Sequence, residues 1–162
     1  MPRPILPAPT PLHLTLLVLH LLAAALWVGG MAVMHFAVRP AAVSTLPPPQ
    51  RLPFMTAALG RFFAAVTGAV VVLLASGLAL VWLAGGFARV GLGVHAMTTL
   101  ALVMTAVYAQ IRLGAYPRLQ RAVSARDWPQ AAVPLNAIRV RVVFNLVLGT
   151  LVFVCAALAR VS

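Results

Sequence analysis

Four apolar runs, at about 12–38, 62–84, 92–113 and 141–159, dominate the chain, and each is long enough to cross a hydrocarbon layer about 30 Å thick. Lipid offers no partner to a backbone N–H or C=O, so runs of this length predict helices whose hydrogen bonds close within the segment. Composition agrees: 162 residues that are 63% hydrophobic and only 8% charged carry more apolar surface than one soluble core of this size can hide. The expected fold is an all-α membrane protein, a four-transmembrane-helix antiparallel bundle forming a single integral membrane domain over 1–162. Arg3 followed by an apolar run containing Ala23, Ala24 and Ala25 has the look of a removable leader. The run continues to Val38, however, and predicts a retained span.

The connections set the orientation. Residues 1–11 hold five prolines and predict an extended lead-in, and the segment 41–60, with Pro47, Pro48, Pro49, Pro53 and Gly60, predicts a loop with one interfacial turn. Residues 115–139 read as a basic loop in which Asp127-Trp128-Pro129-Gln130 has the form of a helix start, Asp127 capping and Pro129 in the first turn. The first and third connections with their flanks hold Arg39, Arg51, Arg61, Arg112, Arg118, Arg121, Arg126, Arg139 and Arg141, against Arg3, Arg89 and Arg160 on the other side. By the positive-inside rule this places the long connections in the cytoplasm and both termini in the periplasm of a bacterial inner membrane.

The same residues exclude several functions. The net charge of +11 comes from arginines that punctuate apolar runs rather than form a basic face, so nucleic acid is not an expected partner. Asp127 is the only acid, which removes paired-carboxylate hydrolysis, an intramembrane carboxylate proton relay and any acid-bearing catalytic triad. Gly91-x-Gly93 stops short of a dinucleotide fingerprint, and the single Cys155 has no disulfide partner within the chain. No catalytic residue is assigned.

What remains is a soft-ligand stripe. At about 100° per residue His13, His20, Trp27, Met31 and Met34 fall within roughly 60° of arc on the first helix. An imidazole in hydrocarbon needs a partner, so this face is expected to meet protein, cofactor or metal rather than lipid. His13 lies at the outer mouth, His20 about 12 Å further in, and His95 about 4 to 6 Å into the third span from the same side. His35, off the stripe, is read as interfacial. His95 opens a face with Thr99, Leu102, Ala106 and Ala109 suited to lining a cavity or hugging a helix, whereas Met97 and Met104 fall opposite. The metal-ligand candidates are therefore His13, His20, His95, Met31 and Met34; His20 and His95 are also the candidates for holding a cofactor. Ala64, Gly68 and Gly77 permit close helix approach within the bundle or between copies, so a homo-oligomer or a membrane or periplasmic partner protein is compatible with the chain.

The segment His20-Leu-Leu-Ala-Ala-Ala-Leu-Trp27-Val28-Gly29-Gly30, with Arg39-Pro40, Arg61-Phe62-Phe63, Val94-His95-Ala96-Met97, Asp127-Trp128-Pro129, Asn145 and Gly149, resembles short four-helix members of the CopD-like copper resistance family. That resemblance implies an inner-membrane protein of copper uptake or tolerance, with His20 and His95 at the family's histidine positions. The His20 to Trp27-x-Gly29 pattern is also similar to the first helix of the HemJ-type membrane protoporphyrinogen oxidases, which implies haem b, with His20 and His95 as axial ligands. An accessory structural subunit, whose histidines only bond helix to helix, is the third expectation.

Overall fold

The computed structural model describes residues 10–158, and among them four helical rods run antiparallel without a strand. Rod one is α1 (Pro11–Val33), a π turn (Met34–Val38) and α2 (Arg39–Thr45); rod two is α3 (Pro48–Leu83). Rod three is α4 (Leu92–Gln110), a second π turn (Ile111–Ala115) and α5 (Tyr116–Ser124), and rod four is α6 (Trp128–Leu158). All four are long and apolar enough to cross a membrane. The proline lead-in over residues 1–9 lies outside the described residues.

The segment expected to be a loop over 41–60 is mostly helical, because its prolines sit where a helix tolerates them. Pro47 is extended and Pro48 and Pro49 occupy the first turn of α3, where no N–H is needed, so the triplet starts a helix instead of breaking one. The third connection is helical too. Between α5 and α6, Arg126 takes a left-handed conformation (φ 56°), Asp127 N donates to Ala122 O, and the Asp127 carboxylate accepts from Gln130 N at 3.0 Å, so Asp127 caps α6 as its sequence context predicts.

Rods of 30–36 residues measure roughly 45 to 54 Å, well beyond a hydrocarbon core of about 30 Å. The excess lies at one end. There α2, the first turns of α3, the second π turn, α5, the turn after it and the first turns of α6 carry the nine arginines of the first and third connections, forming a largely helical basic layer continuous with the spans.

α1 packs chiefly on α3 and α4 chiefly on α6, with α6 also touching α1 and α3. Aromatic rings fill the centre. Phe63, 1% exposed, meets Tyr108 and Tyr116 edge-on at 6.0 and 5.2 Å, and Tyr108 meets Trp27 at 6.1 Å. Both hydroxyls reach α3: Tyr108 Oη donates to Phe63 O at 3.0 Å and lies 2.6 Å from Thr67 Oγ1, while Tyr116 Oη donates to Thr56 O at 3.2 Å. Eight residues of regular α-helix would turn these tyrosines about 80° apart; the intervening π turn removes about 90°, returning both to the α3 face. Many large apolar side chains, among them Leu22, Phe36, Val71, Leu78, Trp82 and Leu113, point away from the protein, as a surface solvated by lipid requires. Ala64 and Gly68 lie on that outer surface rather than inside the bundle.

Candidate functional site

The buried residues of α1 are Ala23, Trp27 and Met31, so the predicted stripe does face protein. His20, one turn before Ala23, is half-buried against α3. Its Nδ1 lies 3.1 Å from Leu73 O and 3.1 Å from Ser76 Oγ. A backbone carbonyl only accepts, and Ser76 Oγ already donates to Val72 O at 2.6 Å. Nδ1 therefore carries the proton of the neutral ring, and the lone pair resides on Nε2. Gly77 makes the fit: a Cβ there would come within 2.9 Å of His20 Cε1 and 3.4 Å of Nδ1. This arrangement, an imidazole oriented through Nδ1–H on a carbonyl with Nε2 free, is how proteins prepare a histidine to bind metal.

Gly77→Leu is accordingly expected to push the ring off α3. In nitrogen NMR of histidine-labelled protein, the protonated Nδ1 resonance should be sharp in the parent and lost to exchange in the variant. A ring protonated on Nε2 in the parent would contradict the tautomer.

The other candidates are dispersed. His13 is half-buried in the first turn of α1, and its backbone N–H donates to the Thr10 side chain at 3.3 Å. His95 is exposed on the first turn of α4, its ring 5.8 Å from that of Phe87. The face it opens does not line a shared cavity along its length: His95, Thr99 and Leu102 point outward, and only Ala106 and Ala109 reach a groove, against α5 and α6. At that level of the helix, water and headgroups satisfy an imidazole, so nothing forces it inward. His20 and His95 share no hydrogen bond or ring contact among the described residues. Counting 1.5 Å per residue from the Trp27–Tyr108 contact, His20 sits about 10 Å above it, His95 about 20 Å and His13 about 21 Å. The three imidazoles thus form two layers, His13 and His95 outermost and His20 beneath.

Met31 is buried (2% exposed) one turn beyond Trp27, and Met34 is half-buried in the π turn, on a groove at the basic end. His35 lines the same groove. Among the described residues no three His, Cys, Asp or Glu side chains gather as a metal cluster, so any ligand set for a soft ion draws on thioethers or is completed from outside the chain. Asn145, 1% exposed, bonds rod four to rod three through Nδ2 and Met104 O at 2.9 Å, and its Oδ1 has no partner among the described residues.

Sequence reasoning missed Ser76 and the Leu73 carbonyl. The available signal was Ser76-Gly77, a hydroxyl beside a missing side chain in an otherwise bulky apolar helix. A family model described as Copper resistance protein D matches residues 56–159, which covers α3 from Thr56 onward and rods three and four but leaves rod one, and with it His20, outside. No curated protein and no solved structure matches the chain.

Proposed function

Because the chain belongs to the copper resistance protein D family, we propose that it handles copper in the membrane, with His20 as the ligand through which the ion enters the bundle. The observation that carries this reading is the Nδ1 contact of His20 with Leu73 O at 3.1 Å, which holds the ring and leaves Nε2 as an uncharged donor. Further soft donors stand above and below it, His13 and His95 in the outer layer and Met31 and Met34 beyond Trp27. The chain's single acidic side chain, Asp127, lies at the far, basic end, so a hard cation such as Mg²⁺ finds no carboxylate near His20, whereas imidazole and thioether suit soft Cu(I).

In this reading copper is the cargo. His13 and His95 meet it in the outer layer, His20 takes it a step inward, and Met31 and Met34 extend the soft face beyond Trp27. The arginine bias supports a basic end in the cytoplasm and termini in the periplasm of a bacterial inner membrane, so the histidine layers face the periplasm. Haem b would need His20 and His95 opposed across one iron. The step of about 10 Å between their levels and the exposure of His95 favour copper instead.

Anaerobic titration of the purified, detergent-solubilised chain with Cu(I) against a chromogenic chelator tests this. The expected result is stoichiometric binding, undisturbed by millimolar Mg²⁺, in a preparation with no Soret absorbance. A Soret band that vanishes in His20→Ala, or a colourless protein that leaves all Cu(I) with the chelator, would overturn it.

A further inference from the structure

At the basic end, where the first π turn meets the starts of α3 and α6, lies a groove of about 550 Å³. Its two kinds of lining are segregated by chemistry. Leu52 and Met55 of α3 and Ile138 of α6 are buried apolar walls, whereas Arg39, Arg51 and Arg139, one from each of three rods, are half-buried or exposed. Asp127, the one acid, does not line it, and among the described residues none of the three guanidinium groups has a hydrogen-bond partner. Three uncompensated positive charges repel a metal cation, although Met34, Met55 and His35 line the same groove and would otherwise suit a soft one. They attract an anion with several acceptor oxygens, and guanidinium groups match a phosphodiester in fork geometry. A free anion, however, would leave the apolar walls facing water.

Both requirements are met by one amphiphile, and the position fits it. Arg39 closes the first apolar run and Arg139 precedes the last, which puts both at headgroup level, while Arg51 stands further out on the extension of α3. We propose that this groove binds an anionic phospholipid, its phosphate among Arg39, Arg51 and Arg139 and the start of an acyl chain against Leu52, Met55 and Ile138. The site is independent of the copper reading. It would clamp rods one, two and four together beside the π turn.

Native mass spectrometry of the full chain in detergent, with phosphatidylglycerol or phosphatidylcholine added, tests the site. One phosphatidylglycerol should be retained about tenfold more than phosphatidylcholine, and the double variant Arg51→Gln/Arg139→Gln should lose that preference. Arg89→Gln, at the opposite end, should keep it. Met55→Trp, which fills the apolar wall and leaves the arginines, should lower phosphatidylglycerol retention as well. Equal retention of the two lipids by the parent, an unchanged preference in the double variant, or displacement of the lipid by inorganic phosphate with Met55→Trp indistinguishable from the parent would each overturn the proposal. Circular dichroism of every variant should match the parent, and a variant that fails this is replaced by Arg39→Gln, for which the same loss of preference is expected.

Discussion

If His20 is the copper ligand proposed above, His20→Ala is expected to weaken Cu(I) binding by more than about a hundredfold, because it removes a ligand outright, whereas loss of a group that only orients a ligand typically costs 10–100-fold. Ser76→Ala supplies the comparison. It deletes one of two groups at 3.1 Å from Nδ1 and leaves the Leu73 carbonyl to hold the ring, so a loss of about tenfold is expected there. Anaerobic chelator competition gives both affinities, and copper tolerance of cells carrying each variant should fall in the same order. The ranking matters more than either value. If His20 served only to bond α1 to α3, both substitutions would lower thermal stability while leaving Cu(I) affinity at the parent level, and the metal site would have to be sought in the outer layer at His13 and His95.

The spans could be read from the sequence because their cause is local: an apolar run of twenty or more residues has no alternative to a helix in lipid. The direction of the first helix was equally legible, since its polar and aromatic residues recur on one face and Trp27 and Met31 are buried there. Two things were hidden. A fixed 100° step cannot foresee a π turn, and the two such turns re-aim Met34 and His35 in rod one and Tyr116 in rod three. The Pro47-Pro48-Pro49 triplet read as a loop because a proline run looks the same in sequence whether it ends a helix or begins one. The position of His95 depends on a third factor. Its small-residue face carries no information on whether protein or lipid lies opposite, and only the pairing of α4 with α6, and of α1 with α3, decides that. The ring of His20, whose partners are fixed by Gly77 and Ser76, is therefore better defined than that of His95.

The largest loss of stability is expected from Phe63→Ala. In a soluble protein such a change costs the transfer of the ring as well as the cavity, but here the unfolded helices remain in an apolar medium and the transfer contribution largely drops out. What persists is the unfilled space. A residual cavity of roughly 100 Å³ at about 24 cal/mol per Å³ costs about 2.4 kcal/mol. Phe63 is also the ring on which Tyr108 and Tyr116 both rest, so its removal loosens the two tyrosines that tie rod three to rod two. Reversible unfolding in mixed micelles should therefore show a loss of about 2–3 kcal/mol for Phe63→Ala, against well under 1 kcal/mol for Phe36→Ala on the lipid-facing side of rod one. Equal losses at the two positions would mean that rod three is not held by the aromatic centre. Because that centre lies about 10 Å from His20 along the bundle, Phe63→Ala should leave Cu(I) affinity within a few-fold of the parent, separating the packing that holds the rods together from the chemistry that one of them carries.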